Sequence, residues 1–237
     1  MDSETRRRGI HVGIIPDGSR RWAKKSGIAS FDGAQSGIAM DRIVRHIFGS
    51  YPEVGELSIW ALSTDNMKRP EEDKRLVYGL LGAKILDLSR DPMLGEKGIK
   101  VNVVGSRLRE MPEDIKALVD GIVSKTKDNK ERTLNICIGY GGKQEILDAV
   151  MASTRWLRKN PAIERLHESV FEDFLQIPRP LDLVVRTGGE KRLSGFMLYQ
   201  IEYAELFFSD TLWPDFTPAE LDNIMADFGR RQRRFGI

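Results

Sequence analysis

The feature that most constrains the fold is an alternation of short apolar runs with longer segments of helical periodicity. The apolar runs are rich in β-branched residues and lack a polar face, which is typical of strands buried in a parallel sheet. We predict strands at Ile10–Ile15, Leu57–Leu62, Ile99–Val104, Leu134–Ile138, Leu181–Val185 and Glu205–Phe208. Helical segments are predicted near residues 18–25, 34–49, 71–90, 112–128, 142–158, 164–175 and 217–229. This order predicts an α/β fold with a mainly parallel six-stranded sheet flanked by helices.

Composition limits the domain organisation and the classes of partner. The 237 residues contain no repeat, low-complexity tract or linker, so we predict a single domain over residues 1–237. The 37 basic and 35 acidic residues nearly cancel, which argues against nucleic acid as a partner. The sequence has no signal-peptide pattern and no apolar run of the ~18 residues that span a membrane, so we predict a cytoplasmic protein. The single cysteine, Cys137, lies in an apolar run and is predicted to be a core thiol.

Several segments that follow predicted strands share a composition suited to anions. In parallel sheets, ligands bind outside the carboxyl ends of the strands. Glycine, hydroxyl or basic residues are concentrated in four such segments, at residues 16–22, 63–70, 139–143 and 186–195. Neither a P-loop signature nor a complete dinucleotide-binding glycine pattern is present. The composition therefore predicts an anion site of another kind at this edge of the sheet.

The segment after the fifth predicted strand suits a phosphate or diphosphate. Two consecutive glycines allow the backbone to approach an anion, and Arg186 and Arg192 can grip it in bidentate fashion beside the Ser194 hydroxyl. The alternative is a surface turn with solvated charges.

The segment after the first predicted strand has two interpretations, which depend on Asp17. An aspartate at this place can cap the following helix. It can also be a ligand of Mg2+, which typically bridges a few carboxylates and substrate phosphates. The adjacent Arg20 and Arg21 favour the second interpretation, because a cation and arginines together can hold a diphosphate that Asp17 alone would repel.

Apolar stripes in the segments near 34–49 and 71–90 also have two interpretations. Helical spacing of this kind is typical of an ordinary core. Beneath diphosphate-binding loops, a cleft between the two helices would suit a prenyl chain.

Ordered motifs along nearly the whole chain match one family. They are HVGIIPDGSRRWA at 11–23, ALSTDNMKRP at 61–70, LNICIGYGGK at 134–143, DLVVRTGGEKRLS at 182–194, YAELF at 203–207, LWPDF at 212–216 and RRFG at 233–236. With these motifs the sequence resembles the cis-prenyltransferases, of the undecaprenyl diphosphate synthase type. The resemblance implies a hydrophobic tunnel bounded by the second and third helices, and a homodimer.

The activity that the resemblance implies is a Mg2+-dependent transfer of an allylic prenyl group. The acceptor is an isoprenoid such as isopentenyl diphosphate, diphosphate is released, and the product has a short or medium chain. A peripheral contact with a membrane is expected if the product is long.

The resemblance also implies roles for individual residues. Asp17 is expected to engage Mg2+ and the allylic diphosphate, and Glu205 to help hold Mg2+ near the dimer interface. Catalytic roles are implied for Asp17, Ser19 and Asn66. Substrate-binding roles are implied for Gly18, Arg20, Arg21, Trp22, Ser63, Arg69, Arg186, Arg192 and Ser194.

The sequence departs from the chain-elongating members of the family at several polar positions. Ser19 stands where those members have asparagine, and Ser30 and Ala34 stand where they have arginine and histidine. Met67 replaces the usual tryptophan of the loop after the second strand. These changes leave open whether the protein elongates chains by the ordinary route.

Two alternatives to ordinary elongation remain. One is an atypical transfer, either a non-head-to-tail condensation of dimethylallyl units, as in cyclolavandulyl diphosphate synthase, or transfer to a non-isoprenoid acceptor. The other is a non-catalytic partner subunit, against which the retained Asp17, Arg186, Arg192 and Glu205 argue.

Overall fold

The structure is a computed structural model that describes residues 9–28, 33–68 and 70–231. Ser30, Arg69 and the motif at 233–236 lie outside these residues. The described residues form a single α/β domain around a six-stranded, all-parallel sheet with strand order β3-β4-β2-β1-β5-β6. The predicted fold class is therefore confirmed.

All six predicted strands are present. They are β1 Ile10–Ile15, β2 Val54–Ser63, β3 Ile99–Val104, β4 Arg132–Tyr140, β5 Leu183–Arg186 and β6 Glu205–Phe208. β2 and β4 are longer than predicted because their polar ends also pair, as in the register of Glu56 with Thr133 and of Ser63 with Tyr140. Inter-strand pairing thus extends past the apolar part from which the strands were predicted.

The helices lie on both sides of the sheet. They are α1 Ser19–Lys25, α2 Gly33–Ser50, α3 Glu71–Ser89, α4 Met93–Glu96, α5 Glu113–Thr126, α6 Gly142–Lys159, α7 Glu168–Glu172 and α8 Pro218–Arg230. The helix predicted near 164–175 was too long: α7 is a short helix, after which Phe174 and Leu175 form bonds to the third residue before them. None of the described helices has the length and apolar character needed to cross a membrane.

The apolar core is divided by the sheet into two clusters. The larger packs α2, α3 and α5 against one face, and the smaller contains Tyr140 and Phe196 on the other. Cys137 is fully buried in the smaller cluster, as predicted, and burial raises the pKa of its thiol. Most of the predicted stripe on α2 is core, but Ile38 at its start and Leu76 on α3 are exposed.

One buried histidine is part of the scaffold. His11 of β1 accepts a hydrogen bond at Nε2 from the Ser58 hydroxyl at 2.8 Å, and its Nδ1 donates to the Pro180 carbonyl at 3.0 Å. We assign this neutral tautomer from the partners. Burial lowers the pKa of His11, the nearby Glu56 opposing this effect.

Candidate active site

The centre of the site is an ion pair at the carboxyl ends of two adjacent strands. Asp17 follows β1, and Arg186 is the last residue of β5. Ile15 at the end of β1 is in register with Arg186 at the end of β5, while the other neighbour of β1 is β2. Arg186 Nη2 donates to Asp17 Oδ2 at 2.8 Å. The pair lies at the carboxyl edge of the sheet, where parallel α/β folds bind ligands. The structure thus brings together the two segments that the sequence singled out.

Arg186 is held by further contacts in the same segment. Its side chain is almost completely buried, and Nη1 donates to the Ser194 hydroxyl at 2.9 Å and to the Arg192 carbonyl. Nε finds no acceptor among the described residues. Asp17 therefore supplies the negative charge that compensates the buried guanidinium of Arg186. Together these contacts fix the orientation of the guanidinium group.

Asp17 itself is partly open to the cavity. About a third of its side chain is exposed, and Oδ1 lies 3.4 Å from Arg21 Nη2. It does not cap α1, because the N-cap residue is Gly18 and no side chain bonds there. The structure therefore excludes the capping interpretation.

The backbone around Asp17 is clamped by the segment after β5. The Asp17 N–H donates to Thr187 Oγ1 at 3.0 Å, and the Thr187 hydroxyl donates to the Asp17 carbonyl at 2.8 Å. Gly188 has a positive φ of 84°, and a Cβ there would lie 2.8 Å from the same carbonyl oxygen. Only glycine fits this approach without strain.

A second polar segment closes the mouth from β2. The Ser63 N–H donates to Asn66 Oδ1 at 3.2 Å, and the Asn66 N–H donates to Ser63 Oγ at 3.1 Å. Both residues line the same cavity as Asp17 and Arg186. The reciprocal bonds hold a hydroxyl and an amide at the rim.

The cavity between α2 and α3 has a volume of about 510 Å³. Its mouth is polar and includes Asp17, Gly18, Ser19, Arg20, Arg21, Ser63, Asp65, Asn66, Arg186 and Ser194. Its walls are mainly apolar and include Met40, Ile59, Leu62, Val77, Leu80, Leu81 and Trp213. The shape fits a molecule with an anionic head and an apolar tail, as the cleft interpretation requires.

Ser19 has a partner that the sequence did not reveal. The Ser36 hydroxyl of α2 donates to Ser19 Oγ at 2.7 Å, and the Ser36 carbonyl accepts from Trp213 Nε1 at 3.0 Å. Both serines line the cavity. A lone serine near the start of a helix carries no signal that could have identified Ser36.

Two predicted binding residues lie away from the cavity. Trp22 donates its indole N–H to Asp215 Oδ1 at 2.8 Å and does not line the cavity. The Arg192 side chain is exposed and pairs with Glu190 instead of converging with Arg186. In this structure only the Arg192 carbonyl contributes to the centre of the site.

Glu205 lies at the other end of the sheet from Asp17. The register of β5 and β6 pairs Leu183 with Glu205 and Arg186 with Phe208. Three residues of strand separate these levels, which is about 10 Å. Glu205 instead pairs with Arg231 at 2.7 Å. Asp17 and Glu205 are therefore not brought together within one chain.

The carboxylates of the site fit one kind of metal ion. Among the described residues, no group of three or more His, Cys, Asp or Glu side chains could hold a metal by itself. Mg2+ uses one or two carboxylates and takes its other ligands from water and substrate phosphates. A partly exposed Asp17 beside arginines fits that requirement.

Comparison with known proteins identifies the family. Residues 15–236 match the family model described as putative undecaprenyl diphosphate synthase. The isoprenyl transferase of Caulobacter vibrioides is 37% identical, with 96% of this chain and 87% of that protein covered. The tritrans,polycis-undecaprenyl-diphosphate synthase (geranylgeranyl-diphosphate specific) of Pyrococcus abyssi is 36% identical, with 95% and 86% covered.

Solved structures give the same result. Lavandulyl diphosphate synthase from Lavandula x intermedia, in complex with dimethylallyl diphosphate, superposes with a TM-score of 0.87 at 27% identity, covering 99% of this chain and 100% of that one. A probable undecaprenyl diphosphate synthase from Campylobacter jejuni gives a TM-score of 0.77 at 26% identity, covering 96% and 98%. The chain belongs to the undecaprenyl diphosphate synthase family of prenyltransferases.

Proposed function

We propose that the protein is a Mg2+-dependent enzyme that transfers an allylic prenyl group from its diphosphate to an isoprenoid acceptor such as isopentenyl diphosphate. The observation that carries the proposal is the cavity with a cationic, hydroxyl-bearing mouth around Asp17 and Arg186 and an apolar body between α2 and α3. The family supports prenyl transfer. The arginines and hydroxyl groups of the mouth support substrates that carry a diphosphate.

The mouth is suited to stabilise a departing diphosphate. The reaction breaks the C1–O bond of the allylic substrate, and the bonding electrons leave with the diphosphate. Arg20 and Arg21 line the mouth on the side of β1, where their positive charges stabilise the negative charge that develops on the leaving diphosphate. The new carbon–carbon bond forms at C1, and the acceptor then loses a proton, which the released diphosphate can accept. The apolar walls keep water away from the allylic cation.

The acceptor diphosphate is assigned to the β5 side of the mouth. Arg186 and Ser194 are already joined at 2.9 Å and face the cavity together. Arg192, now paired with Glu190, would join them if its side chain changed rotamer. Ser63 and Asn66 present a hydroxyl and an amide from the opposite rim.

Asp17 is the residue that would hold Mg2+ within one chain. When bound, Mg2+ supplies electrostatic stabilisation of the diphosphate leaving group. Asp17 would hold the ion through its partly exposed carboxylate, and the adjacent guanidinium of Arg186 would bind diphosphate oxygens.

We also propose a homodimer through the β6 edge of the sheet. Two exposed apolar side chains, Tyr203 and Leu206, flank Glu205 at this edge. A second copy packed here would cover them and could bring its own Glu205 toward the metal site, which a single chain does not achieve. A cytoplasmic location, with a peripheral membrane contact only for a long product, completes the proposal.

A second candidate function is a non-head-to-tail condensation of two dimethylallyl units. Ser19 is bound to Ser36 where elongating members have an asparagine, so the group facing the substrates is a hydroxyl pair. The likeness to lavandulyl diphosphate synthase over nearly the whole chain supports the same alternative.

Product analysis distinguishes the candidates. Purified protein is incubated with Mg2+ and short allylic diphosphates, with and without isopentenyl diphosphate, and products are identified by mass spectrometry and NMR. A linear product that requires isopentenyl diphosphate supports elongation, and a branched ten-carbon product from dimethylallyl diphosphate alone supports the second candidate. No product from any combination contradicts both and favours a non-catalytic partner subunit.

A further inference from the structure

A charged pair crosses the lower end of the cavity. Lys84 of α3 lines the cavity beside the apolar Leu80 and Leu81, and its Nζ lies 2.7 Å from Asp41 Oδ2 on α2. Asp87 Oδ2 is 3.7 Å from the same Nζ. Both side chains of the pair are partly exposed, by 22% for Lys84 and 37% for Asp41. A lysine is an unusual lining residue at a depth where the neighbouring side chains are apolar. Its ion pair with Asp41 connects α3 to α2, the two helices that bound the cavity.

The lysine reaches Asp41 by crossing α2 at a glycine. A Cβ added to Gly37 would lie 2.5 Å from Cε and 3.0 Å from Cδ of Lys84. The absence of a side chain at this position therefore leaves the space that the lysine stem fills. Gly37, Lys84 and Asp41 form one arrangement between α2 and α3.

The ion pair marks the boundary between two cavities. A smaller cavity of about 20 Å³ lies beyond the main one, and Met40 and Ile59 line both. Lys84 lines only the main cavity and Asp41 lines only the smaller one. The space between α2 and α3 is thus interrupted at the level of this pair.

The depth of the main cavity can be estimated along β2. Ser63 lies at the mouth and Ile59 at the boundary, and the four residues of strand between these levels span about 13 Å. An extended isoprene repeat of four carbon–carbon bonds covers roughly 5 Å, given bond lengths near 1.5 Å. The cavity above the pair therefore accommodates about two to three isoprene units.

We propose that the Lys84–Asp41 ion pair is the floor of the prenyl cavity and limits the chain to about three isoprene units. A longer apolar chain has to separate the two charges or lie against them, and either outcome removes water from charged groups without supplying a polar partner, which is unfavourable. This inference rests on the proposed function, because it concerns the tail of the same substrate.

Binding measurements test the floor without turnover. Calorimetry in the presence of Mg2+ compares non-hydrolysable thiolodiphosphate analogues with ten-, fifteen- and twenty-carbon chains. We expect the wild-type protein to bind the twenty-carbon analogue more weakly than the shorter ones. Lys84→Met keeps an unbranched side chain only one heavy atom shorter but removes its charge, and should improve binding of the twenty-carbon analogue at least tenfold relative to the ten-carbon one. Lys84→Arg should keep the wild-type preference.

A matched control lies on the same helix. Lys74 pairs with Glu71 near the start of α3 and is exposed to nearly the same extent as Lys84, at 21%, but it does not line the cavity, so Lys74→Met should leave the chain-length preference unchanged. Lys84→Leu also removes the charge that lines the cavity and should shift the preference in the same direction, which keeps the test available if Lys84→Met does not fold. A folded Lys84→Met or Lys84→Leu protein with the wild-type preference overturns the proposal.

Products give an independent readout. With isopentenyl diphosphate present, Lys84→Met should lengthen the longest product by at least one five-carbon unit, and an unchanged product length in an active variant contradicts the floor. If the wild-type protein binds the analogues but forms no product from any substrate, the proposed function is wrong, while the binding preference still decides the floor.

Discussion

Replacing Asp17 by asparagine removes the charge of the side chain but keeps its shape. The variant therefore tests the electrostatic interactions of Asp17 with Arg186 and with Mg2+. The carboxylate lies 2.8 Å from Arg186 and 3.4 Å from Arg21, so an amide of equal size keeps the packing and removes the charge. We expect the variant to fold, to lose most of its turnover and to lose the dependence of diphosphate binding on Mg2+.

The size of each effect follows from the geometry. A hydrogen bond to a charged group contributes about 1.5–3 kcal/mol, and because Arg186 is buried we expect a loss of stability of about that size. For a chain of this size that is a decrease in Tm of about 3–12 °C. Loss of electrostatic stabilisation at the leaving group should lower kcat by about 100- to 1,000-fold.

Binding of pyrophosphate gives the sharper readout. Without Mg2+, the asparagine variant should bind pyrophosphate about 5- to 10-fold more tightly than the wild type, since one repelling carboxylate is gone and about 1 kcal/mol corresponds to that ratio. With Mg2+, the wild type should gain affinity and the variant should not. Titration calorimetry at fixed ionic strength, with and without Mg2+, measures all four affinities.

The control for this experiment is another exposed aspartate with a contact four residues away. Asp148 on α6 accepts from Gln144 at 2.9 Å and does not line the cavity, so Asp148→Asn should behave as the wild type. If Asp17→Asn keeps the wild-type dependence on Mg2+, or its kcat, the assignment of Asp17 is refuted.

Three further predictions concern the surroundings of the site. Ser36→Ala removes the donor to Ser19, and the loss of one neutral hydrogen bond, about 0.5–1.5 kcal/mol, should change kcat/KM by no more than about 10-fold in steady-state assays. Gly188→Ala forces a side chain to a positive φ against the Asp17 carbonyl; calorimetry should show a decrease in Tm of about 4–8 °C, from a cost of about 2 kcal/mol. Because the pKa of His11 is lowered in the folded state, the unfolded chain binds the proton first as pH falls below 6.5, and stability is lost. His11→Gln should therefore show a smaller decrease in Tm between pH 7 and pH 5 than the wild type, and an equal decrease would refute this cause.

The strands and the centre of the site could be predicted because their signals are local. Each strand is an apolar run, and the rule for parallel sheets then places Asp17 and Arg186 at one edge although 169 residues separate them. The sequence could not predict that Asp17 does not cap α1. An aspartate just before a helix looks the same in the sequence whether it occupies the N-cap position or, as here, the position before it.

Other features depend on contacts that no local pattern encodes. Lys84 and Asp41 are ordinary charges on amphipathic helices, and only the packing of α3 against α2 makes them a pair. The positions of the Arg192 side chain, which turns to Glu190, and of Trp22, which turns to Asp215, depend on surface partners. The distance of Glu205 from the mouth follows from the register of β6, which strand prediction does not supply.

The central position of β1 has a consequence for the time course of folding. β1 pairs on one side with β2, which is made soon after it, and on the other with β5, which is made much later. At translation rates of about 5–20 residues per second, the 169 residues from Gly18 through Arg186 take roughly 8–34 s to synthesise. During that interval a nascent chain exposes an unpaired strand edge of the kind that chaperones shield and that aggregates recruit. Docking of β5 brings Arg186 to the mouth of the cavity and offers the edge on which β6 then pairs. In refolding experiments the ability to bind a diphosphate should therefore develop in the last phase, after most of the helical signal has formed.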